Sequence, residues 1–143
     1  MSIGLSIAVA VTFTWLGMVA AISFLEAPLK FRAPNVTLQI GLGIGRRVFR
    51  ALNSVEVVFA IAILAAFLAG PPSVGAGVAF GIAFAALIVQ LVAVRPWLNR
   101  RSDKVLAGLD APRSRGHYAY VGFEVIKVIA LAVAGVLLLS SQS

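Results

Sequence analysis

Four stretches of this chain each stay apolar for about twenty residues, and that repetition confines its fold more than any motif does. They cover about Ile3–Leu25, Val48–Ala69, Val74–Val94 and Tyr118–Leu139. A hydrocarbon core of about 30 Å is crossed by roughly 20 helical residues. Hydrocarbon offers no water to unpaired backbone groups, so each crossing segment must be a helix. The composition agrees, with 61% hydrophobic and 12% charged residues and a mean hydropathy of +1.03; a soluble domain carries about a quarter charged residues. The expectation is an all-α polytopic membrane protein, a four-transmembrane-helix bundle in which residues 1–143 form one domain. The first stretch lacks a basic leader and a small-residue cleavage site, so it reads as a resident helix rather than a signal peptide.

The net charge of +7 invites a nucleic-acid reading, but its placement argues against one. Lys30, Arg32, Arg46, Arg47 and Arg50 lie between the first two stretches, and Arg95, Arg100, Arg101, Lys104, Arg113 and Arg115 between the last two. The Gly70–Gly75 turn and both termini carry none, so eleven of the twelve basic residues fall on one side. The positive-inside rule makes that side cytoplasmic and the arrangement N-out/C-out. The partners expected from charge are the anionic headgroups of the lipid bilayer, in the inner (plasma) membrane, with no nucleic acid. Cysteine is absent, which excludes disulfides, thiolate metal sites and cysteine catalysis.

Along the chain, Pro28 and Pro34 are expected to stop the first helix and Pro96 the third. Thr37 is placed to cap a helix that runs at a shallow angle, or continuously, into the second stretch. The run GLGIGRR, Gly41–Arg47, has no strand before it and no P-loop lysine, so its glycines read as sites of close helix approach or bending. Gly77, Gly81 and Ala85, four apart, form a small-residue row suited to helix packing. Trp15 reads as membrane packing and Trp97 as an interfacial anchor. Asp103 and Asp110 read as solvated partners of nearby cations. A faint internal echo overlays Phe49–Ala62 on His117–Ala130 at an offset of 68, pairing Glu56 with Glu124 and Pro28 with Pro96. A true two-hairpin repeat would imply a pseudo-twofold axis along the membrane normal.

The polar residues inside these apolar stretches are the candidate site. At 100° per residue His117, Tyr120, Glu124 and Lys127 fall within an arc of about 80°. Arg46, Arg50, Asn53 and Glu56 make a similar stripe of about 120°, and Thr12, Trp15, Ser23 and Glu26 share a face of the first helix. Glu56, Glu124 and Lys127 lie roughly 6–10 Å inside the basic boundary. A charge at mid-bilayer costs about 2.5–3.5 kcal/mol, so these groups are expected to face one another rather than lipid. Lys127 can pair with Glu56 or Glu26 across helices and with Glu124 on its own helix. One ammonium cannot neutralise three carboxylates, so Arg46, Arg50 or Arg95 reaches in, or one glutamate holds a proton. A register-fixing ion pair, a proton, ion or substrate site, and a cofactor site all stay open. The single histidine rules out bis-histidine haem within one chain. No metal-ligand spacing and no serine–histidine–aspartate set is present.

The run WLGMVAAISFLEAPLKFRAPNVTLQIGLGIGRRVFRALNSVEVVFA, with the later Tyr120…Glu124-x-x-Lys127, resembles an uncharacterised family of four-helix bacterial membrane proteins, actinobacterial in type, and more distantly the transmembrane protein 205-like group. The resemblance covers about the first 60 residues and Tyr120–Lys127. It implies the four-helix fold, places Glu26, Pro28, Lys30, Arg46, Phe49, Asn53, Glu56, Tyr120, Glu124 and Lys127 at marked positions, and carries no activity.

The functional expectation is a charged intramembrane pocket open to the cytoplasm, built from Glu26, Glu56, Glu124, Lys127, Asn53, Tyr120 and His117, with Arg46 and Arg50 at its entrance. Such a pocket suits a small ion- or proton-coupled transporter, oligomeric because four short helices enclose little interior. The alternative is a non-catalytic accessory subunit of a larger membrane complex, docked through Gly77, Gly81 and Ala85. A membrane enzyme ranks third, and no cofactor or metal is expected.

Overall fold

The hydroxyls of Ser2, Thr37 and Ser73 each stand just before an apolar run, and each accepts a backbone N–H three residues on, from Leu5, Ile40 and Ala76 at 3.1, 3.1 and 3.3 Å. They open three of the four long helices, the first orphan donors of a helix being met by such side chains. The structure, a computed structural model, describes residues 2–110 and 115–140. Its helices are α1 (Ile3–Lys30), α2 (Leu38–Ala69), α3 (Val74–Leu106) and α4 (Arg115–Ser140), all long and apolar enough to cross a membrane. The chain is thus an all-helical four-helix bundle of membrane type.

Every helix but α4 clearly outlasts its apolar stretch, always at the basic end. At about 1.5 Å per residue, α2 and α3 run close to 50 Å, well beyond the hydrocarbon core. Thr37 begins one continuous α2, so the shallow-angle alternative falls away. Gly108, at φ +85°, ends α3, with the Leu109 N–H returning to the Lys104 carbonyl at 2.9 Å.

The prolines correct the expected helix ends. Neither Pro28 nor Pro96 stops its helix: α1 continues to Lys30 and α3 to Leu106. In both, the turn before the proline widens into a π-helix, Ala20–Glu26 and Gln90–Val94. A proline offers no N–H and its ring crowds the carbonyl four residues back; the wider turn relieves that crowding without breaking the rod. The Ala27 N–H reaches the Ile22 carbonyl and the Arg95 N–H the Gln90 carbonyl, each five residues back. Donors and acceptors of the two bonds stand 68 residues apart, so the same deviation recurs at the spacing of the sequence echo. Pro34 lies in the turn after α1, where Asn35 takes φ 66°.

The helices form a ring in which α1 packs on α2 and α4, while α3 packs on α4 and, towards the basic end, on α2. Near the termini the core is apolar: Ala8, Ile63, Ala76, Ala79, Phe80, Ala83, Leu131, Ala134 and Leu138 are buried together. Phe67 and Phe80 meet edge to face at 4.9 Å. Lipid tails are as apolar as these side chains, so their close fit rather than a hydrophobic drive joins the helices here. The Gly77/Gly81/Ala85 row takes no part in it, which corrects its expected packing role within the chain. Gly81 and Ala85 are exposed, and a Cβ built on Gly81 meets nothing within 4 Å. The inward face of α3 is instead Ala76, Ala79, Ala83, Ala86 and Leu87.

Candidate functional site

Towards the basic end the interior changes character. Lys127 and Glu124 stand one turn apart on α4, and Glu56 comes to them from α2; these side chains are 0%, 1% and 0% exposed. The Lys127 ammonium lies 2.5 Å from Glu56 Oε1, 2.5 Å from Glu124 Oε1 and 2.8 Å from Gln90 Oε1. Its three donors have three acceptors. Trp15 of α1 donates its indole N–H to Glu56 Oε1 at 2.9 Å. The Gln90 amide donates to Glu124 Oε1 at 2.9 Å and to the Tyr120 carbonyl at 3.3 Å. The Ser23 hydroxyl donates to Glu124 Oε2. Glu56 Oε2 is buried without a partner among the described residues. All four helices therefore join one cluster, in which Asn53 and Glu56 of the α2 stripe face Tyr120, Glu124 and Lys127 of the α4 stripe. Counting back from Ala69 and Ser140, the cluster sits about 20 Å from the terminal end.

The expected single pocket divides in two. Glu56, Glu124 and Lys127 form a closed cluster, with Asn53 beside it accepting from the Tyr120 hydroxyl at 3.4 Å. Glu26 is not a member: it pairs with Lys30 one turn on, at 3.5 Å. Beyond the π-turn its side chain has passed the cluster, and Ser23 holds the α1 position opposite Glu124. His117 is half-buried, stacked edge-on against Tyr118 at 5.5 Å and lining an adjoining cavity rather than touching the cluster. Arg46 lines that cavity and bonds Asp103 at 2.5 Å, as expected of a cation near the aspartates. Arg50 is exposed, on a separate opening between α2 and α3.

Sequence reasoning missed three members. Gln90 is the only strongly polar side chain in the apolar part of α3, which was signal enough. Trp15 and Ser23 lay on the polar face of α1 but were not assigned to the site. Ser23 and Gln90 both belong to the π-helical turns, a frequent feature of functional sites.

The adjoining cavity, about 170 Å³, opens at the basic end between α1, α2, α3 and α4. Its polar lining includes Ser23, Lys30, Arg46, Arg95, Arg101, His117 and Tyr120. The glycines of GLGIGRR shape it: a Cβ at Gly41 would overlap the Phe31 ring, and one at Gly45 would stand 3.1 Å from Lys30 Nζ. The glycines thus admit close approach, one of their two expected uses. Ser23 and Tyr120 are the partition, lining the cavity on one side and contacting the cluster on the other. The Arg95 guanidinium lies over the rings of Tyr120, at 4.7 Å, and Phe49, at 5.3 Å. Among the described residues no three His, Cys, Asp or Glu side chains gather to hold a metal ion. Set against family models, curated proteins and solved structures, the chain matches none.

Proposed function

We propose that the chain is a multi-pass plasma-membrane protein, its basic end in the cytoplasm, that moves a small solute in linkage with a proton held on the Glu56–Lys127–Glu124 cluster. The observation that carries this is a charge imbalance. Two carboxylates share one ammonium behind a seal of protein, and among the described residues Glu56 Oε2 has no partner. The groups facing Glu56 are Trp15 from α1, Gln90 from α3 through the ammonium, and Lys127 and Glu124 from α4; none supplies a second positive charge. A net charge enclosed at this depth is expensive, and one bound proton cancels it. Ser23 and Tyr120 connect the cluster to the cavity, so a solute there and a proton within sense each other. The positive-inside rule supports the orientation.

Infrared difference spectra of the purified protein across a pH titration are expected to show the C=O stretch of one protonated carboxyl, absent in Glu56→Gln. Proteoliposomes are expected to pass protons down an imposed gradient, and Glu56→Gln to stop this. A wild-type protein with neither signal sinks the proposal.

A second reading has its own support. All three donors of Lys127 are met, as in a register lock, and the Gly77/Gly81/Ala85 row faces away from the bundle. An accessory subunit, or one copy of a homo-oligomer, would use that row outside. It predicts no proton flux from the wild type, together with a defined larger assembly that Gly81→Leu disperses.

A further inference from the structure

We propose that the cavity at the basic end is an oxyanion site in which Arg95 grips a carboxylate or phosphate group side-on. The inference deepens the proposed function, and rests on it only for the link to the proton.

The lining is one-sided in charge. Lys30, Arg46, Arg95, Arg101 and His117 line the cavity, and no Asp or Glu does among the described residues. Two of these cations already have carboxylates outside it, Lys30 with Glu26 at 3.5 Å and Arg46 with Asp103 at 2.5 Å. Arg95 differs. Its Nε and Nη2 are buried and make no hydrogen bond among the described residues. These two nitrogens share one edge of the planar guanidinium, the edge whose parallel N–H bonds match two oxygens of a carboxylate or phosphate. The guanidinium carbon lies over the rings of both Tyr120 and Phe49, and these contacts steady the charge without meeting the hydrogen-bonding capacity of Nε and Nη2. An oxyanion takes that edge once the Arg95 side chain turns it into the cavity it lines. A buried charged donor pair without a partner is rare in folded proteins and calls for one.

The ligand class follows from size and walls. A volume of about 170 Å³ suits one oxyanion group with a short substituent. Phe31, Leu42, Leu98 and Val121 give that substituent apolar walls. Short-chain carboxylates and small phosphate esters fit, whether dissolved or as the headgroup of an anionic lipid reaching in from the interface. An anion here stands across Ser23 and Tyr120 from a cluster with one excess negative charge. Anion binding and proton uptake therefore favour each other, and by linkage each tightens the other equally.

The test uses the purified full chain in neutral detergent at fixed ionic strength, with butyrate and inorganic phosphate as probes and chloride as control, read by calorimetry. Saturable binding of either probe is expected, weakened about tenfold in Arg95→Lys, which keeps the charge and loses the fork, and lost in Arg95→Gln. Arg47→Gln removes an exposed charge from the same end and is expected to bind as wild type. If neither probe binds, the chain in nanodiscs mixing phosphatidylglycerol with phosphatidylcholine is read by native mass spectrometry. Retention of the anionic lipid, lost in both Arg95 variants, identifies the headgroup as the ligand. Binding equal in wild type and both Arg95 variants, or none in either arm, overturns the proposal. Glu56→Gln separates the two readings when butyrate is the probe and His117→Gln is the background, which removes the imidazole titrating in the lining: it keeps the anion site while abolishing the remaining effect of pH on affinity. Anion binding that is already independent of pH in the wild type strikes the proton linkage and leaves the oxyanion site standing.

Discussion

Towards the termini, α3 and α4 meet through Ala76, Ala79, Ala83, Leu131, Ala134 and Leu138. Thirteen residues into α4, the same two helices are joined by Gln90, Glu124 and Lys127 instead. The first region has small side chains, no polar atom to satisfy and a fit that depends on shape. The second concentrates polar atoms from four helices on one ammonium, and its stability depends on every member being present. A shape-based interface loses stability in proportion to the volume removed. A polar network fails when one partner goes, because the others are left buried and unpaired. Among the described residues, only the polar half borders a cavity with unmet donors.

The largest effect is expected from Lys127→Met. It leaves Glu56 and Glu124 enclosed with no counter-charge, a loss of about 3–5 kcal/mol, read by unfolding in mixed dodecyl maltoside–SDS micelles followed by circular dichroism. Adding Glu56→Leu and Glu124→Leu to it should recover most of that loss, since a buried ion cluster replaced by apolar groups is often neutral. Wild-type stability in the single variant would show that the charges do not join this half.

Leu131→Ala, in the apolar half, should cost roughly 2–5 kcal/mol by leaving a cavity at a fully buried position. Here no second substitution on a polar partner can rescue it, and anion binding at the other end should persist. Loss of that binding would mean the halves are not separable. Gln90→Leu should follow at about 1.5–3 kcal/mol, because it removes an acceptor from Lys127 and a donor from Glu124, both charged. A loss under a few tenths would mean the ammonium is content with its two carboxylates.

The same contrast explains what the sequence disclosed. Glu124 and Lys127 share a helix one turn apart, so their pairing needs only helical periodicity, and Glu56 follows from a stripe on α2. The four crossings are equally legible, because hydrocarbon admits little else. Gln90 stands alone in the apolar part of α3 and makes no stripe, and Ser23 shares a face with Thr12 and Trp15 that packing alone would explain; beyond them the π-turns slip the 100° projection by most of a residue. The prolines that cause the slip were themselves misread: the rule that proline ends a helix assumes water to take the freed carbonyls, and at this depth the helix widens instead. Glu26 was misplaced by the same slip, one turn too near the cluster. The Gly77/Gly81/Ala85 row is legible as a packing surface, but small residues at four-residue spacing do not say which side they face.

That row supplies the smallest expected effect. Two small-residue rows run along α3, Ala76–Ala79–Ala83 turned inward and Gly77–Gly81–Ala85 turned out. Ala79→Leu would force a larger side chain into a filled interface, and about 1–3 kcal/mol should be lost. Gly81→Leu meets open space, so the isolated chain should change by less than about 0.5 kcal/mol, and leucine's better helix propensity even favours a small gain. Both are read by the same micellar unfolding, alongside native mass spectrometry of the purified protein. If Gly81→Leu leaves stability and mass unchanged, the outer row faces only lipid and the bundle works alone. If stability holds while a larger assembly falls to single chains, the outward glycines are where copies meet, and shape-based packing in this protein extends beyond one chain while the polar half stays private to it.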